Sequence, residues 1–415
     1  MQNIASRINQ KFRLSEQGLD GRWVVVLCVG LYLVMVVVLT WSFHAGRTMV
    51  LQGVGVPAMD PLFGDTLCVA RWCDAYGMGE DPRASDFSDP SGKIMTMNYP
   101  VYFLGLHHLG LSARTVPAAG WILCILFLGS ILLLAGKCTL KEGFLWSAAV
   151  CSPVIVMIVE RGNLDIIICA LLVLALLARR RPVLSGFAIL CATALKFYPI
   201  AGFLSLIERQ PGRWLLSCSF VLGGCVAVAV GMSTVGHLST NLGLSSCCFG
   251  SKLIPLILSD RGIRIPASLP LIFQIGSLML LAVSVWIGRA FSPDGNQAIK
   301  DERSLAAFWI GVPAYWLVFM SGDQADYKMV MLLFAFPFIL SWRRNKLSYG
   351  WIASVWITLF FIYAYWLFFS DEGSLRNQLL RQVIAWALFL VTGLVAGLVM
   401  PSPAKWFRIL RGAAS

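Results

Sequence analysis

The sequence predicts an all-α polytopic membrane protein without a separate soluble domain. The chain of 415 residues is 58% hydrophobic and only 13% charged, whereas soluble proteins average about 45–50% apolar and about 25% charged residues. A soluble core could not bury this much apolar surface behind so few charges, and the same figures exclude disordered and fibrous chains. At about 20 residues per span, the apolar residues suffice for about twelve transmembrane segments.

The first apolar run predicts a membrane anchor that is retained. Residues 1–22 are polar and basic, and the run 23–43 is too long for a signal-peptide core and lacks an obvious cleavage site. A polar stretch over 44–98 follows. Further apolar runs predict the remaining spans, and these lie at 117–136, 143–159, 164–178, 184–207, 214–231, 268–291, 305–320, 329–342, 349–369 and 383–399.

One of these runs is interrupted by Lys196, Phe197, Tyr198 and Pro199. Proline removes a backbone donor and disfavours helix in the residue before it, and a lysine within the membrane is costly. We therefore expect residues 184–196 to reach one membrane surface and residues 200–208 to return from it. This break places both termini on the same side.

The distribution of basic residues predicts which side that is. The net charge is +12, from 33 Lys and Arg against 21 Asp and Glu. With the N-terminus in the cytoplasm, short basic clusters such as 179–181 and 343–344 fall on the cytoplasmic side, as the positive-inside rule requires. The positive charge thus indicates how the protein is oriented in the membrane, and nucleic-acid binding is not expected. The predicted organisation is a cytoplasmic segment 1–22, a transmembrane domain 23–399 with an extracytoplasmic loop 44–114 that carries interfacial helices, and a cytoplasmic tail 400–415.

The remaining charged groups gather on the predicted outer face. They include first-loop acids, the segment from Glu160 to Asp165, the broken helix, and basic residues of two later loops. Cations at the membrane border suit a lipid-linked phosphate. An acid in a cleft of low dielectric can take a proton from an attacking hydroxyl. Together they predict transfer of a sugar from a lipid phosphate carrier to an extracytoplasmic acceptor.

Cysteines and histidines do not indicate a metal site. Most of the 12 cysteines lie in apolar runs and show no metal-ligand spacing. Polar loops hold Cys68, Cys73, Cys247 and Cys248, and the sequence leaves open whether a disulfide joins them. His107 and His108 are adjacent and do not share a helix face, so joint ligation of a metal is not expected.

Three stretches carry a resemblance to a known family. They are the stretch from Asp65 to Gly79-Glu-Asp-Pro82 with the later Tyr99-Pro100, the triplet Arg161-Gly162-Asn163, and Leu195-Lys196-Phe197-Tyr198-Pro199. In order and spacing they resemble glycosyltransferase family 87, whose members include bacterial polyprenol-phosphate-mannose mannosyltransferases. The likeness covers roughly residues 60–215. It implies the GT-C fold, a polyprenyl-phosphate-sugar donor, a glycan or glycolipid acceptor, and neither metal nor cofactor.

The resemblance and the outer-face cluster together assign expected roles. Asp65 matches the first-loop acid and is the expected catalytic base of an inverting transfer of a hexose, with mannose the first choice; Asp60 and Asp74 are its alternatives. Two departures from the family pattern, Arg83 for tyrosine and Asn163 for glutamine, bear on which sugar is used. The expected donor-phosphate contacts are Arg161, Lys196, Lys252, Arg264 and Lys328. The expected substrate contacts are Glu160, Asn163, Tyr99, Tyr198 and Asp326.

Two other classes of membrane protein fit the sequence less well. A transporter or flippase of lipid-linked glycans should show polar groups near the midplane and inverted repeats with broken helices, whereas this chain shows one strong break and polar groups at one face. A ligase of the O-antigen type, or an integral-membrane acyltransferase, needs a large outer loop late in the chain. Here the large loop directly follows the first span. We therefore expect a glycosyltransferase of the bacterial inner membrane whose active site faces the periplasm or exterior.

Overall fold

The computed structural model is built almost entirely of helices. It describes residues 20–42, 46–82, 87–88, 94–95, 99–209, 214–233, 248–291, 301–321, 324–344, 350–366 and 374–400. Residues 1–19 and 401–415 lie outside the described residues, so the predicted cytoplasmic segment 1–22 and tail 400–415 stay predictions.

The described residues contain sixteen α-helices, four 3-10 helices and two pairs of very short strands. The α-helices are α1 (Arg22–Ser42), α2 (Arg47–Gly53), α3 (Gly64–Gly77), α4 (Val116–Ala135), α5 (Leu140–Val150), α6 (Pro153–Glu160), α7 (Asp165–Leu177), α8 (Pro182–Leu195), α9 (Leu204–Arg209), α10 (Trp214–Ser233), α11 (Leu253–Asp260), α12 (Leu269–Phe291), α13 (Glu302–Ser321), α14 (Phe336–Arg344), α15 (Gly350–Ala364) and α16 (Leu375–Val399). The 3-10 helices are Val101–Leu109, Ala113–Thr115, Tyr198–Phe203 and Asp326–Ala335. The antiparallel strand pairs are β1 (Phe87–Ser88) with β2 (Ile94–Met95), and β3 (Cys248–Phe249) with β4 (Gln324–Ala325).

Several of these helices could cross a membrane. By length and composition, α1, α4, α12, α13 and α16 each suffice for a span, and the bent pair α5–α6 is a sixth candidate. Shorter apolar helices lie within Asp165–Leu177, Pro182–Leu195, Leu216–Ala229 and Gly350–Ala364. The prediction of an all-α membrane protein is confirmed in this form, while the count of about twelve spans and the GT-C fold stay predictions.

The predicted break at Lys196 is confirmed. Helix α8 ends at Leu195, and Lys196 has an extended backbone with φ −152° and ψ 146°. The chain resumes as the 3-10 helix Tyr198–Phe203, with Pro199 in its first turn. Proline fits there because the first turn of a helix leaves its backbone N–H groups without intrahelical acceptors.

Two runs that were expected to be continuous are divided. The run 143–159 separates into α5 and α6, which are bent by 60°, because Pro153 begins a new helix after Ser152. The run 329–342 similarly divides into the 3-10 helix Asp326–Ala335 and α14, which has Pro337 in its first turn. The bend after α5 has a functional consequence, since it brings the end of α6 against the start of α3.

The core surrounds helix α13. Its most apolar window is 78% buried inside the protein, against 6% for α1, so α13 lies at the centre and α1 at the periphery. Helix α13 packs against both Tyr198–Phe203 and Asp326–Ala335. The broken helix and a late loop are therefore fixed on the same central element.

Helix α3 is largely surrounded by protein, and its position at the membrane interface stays a prediction. It packs against the 3-10 helix Val101–Leu109 and against α4. Its small and apolar residues allow close packing on more than one face. The buried residues are Gly64, Thr66, Leu67, Cys68, Val69, Ala70, Trp72, Cys73 and Ala75.

The loop cysteines lie inside the protein where they are described. Cys68, Cys73 and Cys248 are buried, and no disulfide joins them to one another. The fourth loop cysteine, Cys247, lies outside the described residues. Burial raises the pKa of the Cys73 thiol to about 11, which keeps it protonated at neutral pH.

Candidate functional site

The start of helix α3 is held by the turn that follows α6. The Phe63 backbone N–H donates to the Glu160 carbonyl oxygen at 2.9 Å, and the Asp65 N–H donates to the Arg161 carbonyl at 3.0 Å. The Thr66 hydroxyl donates to the Gly162 carbonyl at 2.5 Å. Two of the three stretches that carried the sequence resemblance are thus joined directly.

Phe63, the residue before helix α3, takes an unusual backbone conformation. Its φ is +64°, in the left-handed region, which is uncommon for a bulky residue and persists only where the surroundings enforce it. The Phe63 ring packs on Gly120, where an added Cβ would lie 2.1 Å from the ring, and meets Trp121 edge-on. This packing and the hydrogen bond to Glu160 orient the first turn of α3.

The Asp65 carboxylate is bound by the side chain of Asn163. The Asn163 amide nitrogen donates to Asp65 Oδ2 at 2.6 Å. The Asn163 amide oxygen accepts from the backbone N–H of Asp165 at 2.8 Å. Asn163 is only 1% exposed, whereas Asp65 is partly exposed, so a second molecule could approach the carboxylate.

Lys196 completes the same network. Its Nζ atom lies 2.5 Å from Asp165 Oδ1, and the Asp165 side chain is fully buried while Lys196 retains 18% exposure. The Lys196 ammonium also lies 5.2 Å from the centre of the Tyr99 ring, within the range of a cation–π contact. The structure therefore brings Asp65, Asn163, Lys196 and Tyr99 together around Asp165.

Tyr99 contributes a neutral hydroxyl to this site. Desolvation raises the pKa of its hydroxyl well above the usual value, and the Asp65 and Asp165 carboxylates raise it further, while a hydrogen bond with Asn163 acts in the opposite direction. The hydroxyl is therefore protonated across the physiological pH range.

Glu160 lies beside this network but points toward the first loop. Its side chain is 2% exposed and lies 3.7 Å from the Arg47 guanidinium, and its Oε1 atom accepts from the Met59 backbone N–H at 2.9 Å. The Arg47 guanidinium also donates to the Met59 carbonyl. These contacts hold the loop before α3, and the substrate contact expected for Glu160 stays a prediction.

The two alternative acids have different surroundings. Asp74 accepts from the Ala113 backbone N–H at 2.9 Å, which ties α3 to the 3-10 helix Ala113–Thr115. Asp60 is exposed. Neither is in the described network of Asp65, which Asn163 links to the Asp165–Lys196 pair.

The later loops meet the broken helix through Lys328. Its ammonium lies 5.9 Å from the centre of the Tyr198 ring, and strands β3 and β4 join the loop that carries Lys328 to the loop that carries Lys252. Lys252 is partly exposed and Arg264 is exposed. Among the described contacts neither reaches Asp65, and the side chain of Asp326 lies outside the described residues.

Two buried charged residues received no role from the sequence. Asp165 was part of the outer-face cluster, but its pairing with Lys196 depends on tertiary structure. Arg381 is 3% exposed and its guanidinium lies 5.4 Å from the centre of the Tyr363 ring. The predicted run 383–399 began just after Arg381, whereas α16 begins at Leu375. The sequence signal that could have identified Arg381 is a charged residue inside an otherwise apolar helix.

No group of three or more metal-ligating side chains occurs within the described ranges. His107 and His108 both contact the Tyr76 ring edge-on, at 6.4 and 6.3 Å. The absence of a metal stays an expectation.

Replacing Gly162 by alanine should destabilise the turn beneath Asp65. Its φ is +59°, and an added Cβ would lie 2.6 Å from Thr66 Oγ1 and 3.0 Å from Phe63 Cβ. Left-handed strain of this kind costs about 1–3 kcal/mol, and the contact adds to it. We expect a lower thermal unfolding midpoint in detergent.

Gly110→Ala is the matched control for this change. Gly110 has φ +83°, but an added Cβ there meets no atom within 4 Å. The Gly110→Ala variant therefore measures the effect of backbone strain on stability without a contact to α3. Equal shifts of the unfolding midpoint in the two variants would contradict a specific role of the Gly162 contact.

The fold and the site define an integral membrane protein with a buried polar network that opens at one carboxylate. Residues 98–241, about a third of the chain, match the model of glycosyltransferase family 87. The match includes Tyr99, Asn163, Asp165 and Lys196, and it supports a glycosyltransferase of this family. Comparison with curated proteins and comparison with solved structures each gave no match.

Proposed function

We propose that this protein transfers a sugar from a polyprenyl-phosphate carrier to a glycan or glycolipid outside the cytoplasm. The observation that carries the proposal is the network in which Asn163 joins the partly exposed Asp65 carboxylate to the Asp165–Lys196 ion pair. A proton acceptor and a cation are thus held in one place. Transfer of a sugar from a phosphate needs both.

The proposed reaction is a single displacement. The acceptor hydroxyl attacks the anomeric carbon from the side opposite the phosphate, so a glycosidic C–O bond forms as the C–O bond to phosphate breaks. Asp65 takes the hydroxyl proton, and polyprenyl phosphate leaves with the bonding electrons. Attack from the opposite face inverts the anomeric configuration.

The leaving phosphate needs compensation of its charge. Lys196 is the proposed first contact, and Arg161 and Lys328 are proposed to add to it from the turn after α6 and from the late loop. The Lys196 ammonium lies over the Tyr99 ring, and the Lys328 ammonium lies over the Tyr198 ring. Lys252 and Arg264 are proposed to act farther along the lipid phosphate path.

The proposed location is the bacterial inner membrane, with both termini cytoplasmic and the site facing the periplasm. The basic loop clusters support this orientation. Insertion of an epitope tag between Pro82 and Phe87 should make the tag accessible to antibody in spheroplasts. A tag that reacts only after permeabilisation would contradict the orientation and the extracytoplasmic acceptor.

The decisive experiment uses the purified full chain with a panel of polyprenyl-phosphate sugars, beginning with mannose, and envelope glycans or glycolipids as acceptors. Mass spectrometry should show acceptor extended by one sugar and an equal amount of free polyprenyl phosphate. Transfer from nucleotide sugars alone would contradict the donor class. Movement of intact lipid-linked sugar across a vesicle bilayer without product would instead indicate a flippase.

A further inference from the structure

The orientation of the Asn163 amide follows from the chemistry of its partners. The backbone N–H of Asp165 can only donate, so the atom 2.8 Å from it is the amide oxygen. The amide nitrogen must then face Asp65 Oδ2, at 2.6 Å. Both bonds are satisfied by this orientation, and the reversed amide would satisfy neither.

This arrangement holds one oxygen of the Asp65 carboxylate and leaves the other for a proton. Oδ2 accepts from Asn163, and the Asp65 backbone N–H is bound by the Arg161 carbonyl. Main chain and side chain are thus held from the same turn. The carboxylate cannot rotate without losing a hydrogen bond between largely desolvated groups, which costs more than the same bond in water.

The same amide also reaches the cation. Its oxygen binds the first residue of α7, Asp165, whose buried carboxylate pairs with Lys196 at 2.5 Å. A side chain that is 1% exposed therefore joins Asp65 to the Asp165–Lys196 pair. Burial also makes Asn163 a poor candidate for the direct substrate contact that the sequence predicted.

We propose that Asn163 is a positioning residue that sets the separation between the proton-accepting Asp65 and the phosphate-binding Lys196. The inference rests on the proposed transferase function and deepens it. Asn163 acts through these two residues and does not touch substrate. Its loss should therefore affect turnover much more than affinity for the lipid phosphate.

Three variants separate the two hydrogen bonds. Asn163→Ala removes both. Asn163→Asp keeps the oxygen that binds the Asp165 N–H but places a carboxylate oxygen against Asp65 Oδ2. Asn163→Gln retains an amide donor on a side chain longer by one methylene. Because misplacement of a reacting group by about 1 Å can cost about 10²-fold in rate, we expect kcat to fall by about that factor in the alanine and aspartate variants.

The measurements are kcat with polyprenyl-phosphate mannose and the dissociation constant of sugar-free polyprenyl phosphate, both on the full-length protein. The proposal predicts a dissociation constant within about threefold of wild type in the alanine and glutamine variants, which add no charge near the phosphate, and a kcat for Asn163→Gln that exceeds that of Asn163→Ala. Should Asn163→Ala fail to fold, Asn163→Asp still tests the proposal, because it retains the contact with α7.

Thr66→Val is the matched control, since Thr66 binds the Gly162 carbonyl of the same turn without a contact to the Asp65 carboxylate. Its kcat should stay within about threefold of wild type. An equal loss in Thr66→Val, or a kcat near wild type in Asn163→Asp, would overturn the positioning role. If wild type transfers no sugar from any donor of the panel, the proposed function itself has failed.

Discussion

Asp65→Asn is expected to lower kcat by about 10²–10⁴-fold, the usual contribution of a general base. Asparagine has nearly the same shape, and its amide oxygen can still accept from the Asn163 nitrogen that lies 2.6 Å from Asp65 Oδ2. The fold should therefore persist, because the first turn of α3 keeps its backbone bonds to the turn after α6. Only the ability to take a proton is lost.

The measurement compares turnover with binding. Purified Asp65→Asn should bind polyprenyl phosphate within about threefold of wild type while it transfers almost no sugar. Asp74→Asn is the matched control on the same helix, because its amide oxygen can keep the contact with the Ala113 N–H. It should retain near-normal turnover. Retained turnover in Asp65→Asn together with an inactive Asp60→Asn would move the base to Asp60.

Local signals predicted the elements around this site well. Runs of apolar residues located the helices, and the pair Lys196 and Pro199 predicted the break after α8 because both act on their own segment. The end of α5 was missed although Pro153 marked it. The run 143–159 was predicted as one span because its uninterrupted apolar composition was given more weight than the proline.

The contacts inside the site depend on tertiary structure. Sequence predicted that Asp65, Asn163 and Lys196 belong to one outer-face cluster, but not that Asn163 binds Asp65 or that Asp165 pairs with Lys196. Asp65 lies in α3 and Asp165 in α7, whereas Asn163 precedes α7 and Lys196 follows α8. These residues are distant in sequence, so their contacts form only when the helices pack together.

The Asp165–Lys196 pair also changes the net charge expected at the site. Lys196 was expected to supply a positive charge to the donor phosphate. The Asp165 carboxylate 2.5 Å away compensates that charge, so the pair is formally neutral. A phosphodiester donor would then depend on further cations, for which Arg161 and Lys328 are the nearest candidates from the sequence set.

Lys196→Met is expected to lower both the affinity for the donor and the stability of the fold. The loss of stability should exceed that of the same substitution at a surface lysine. Asp165 is fully buried, and removal of one partner of a buried ion pair costs about 3–5 kcal/mol because the other charge remains uncompensated. A lower affinity in the single variant would therefore mix a folding defect with a lost phosphate contact. The double variant Asp165→Asn/Lys196→Met separates the two effects.

With both charges removed, the double variant should recover most of the thermal stability, because it no longer buries an uncompensated charge. Its affinity for polyprenyl phosphate should remain low, by about tenfold or more relative to wild type, the cost of about 1.4 kcal/mol from one lost charge-assisted contact. Unfolding midpoints in detergent and binding of polyprenyl phosphate measure the two quantities. Wild-type affinity in the stable double variant would show that Lys196 only balances Asp165, and the phosphate would then have to be bound by other cations of the outer face.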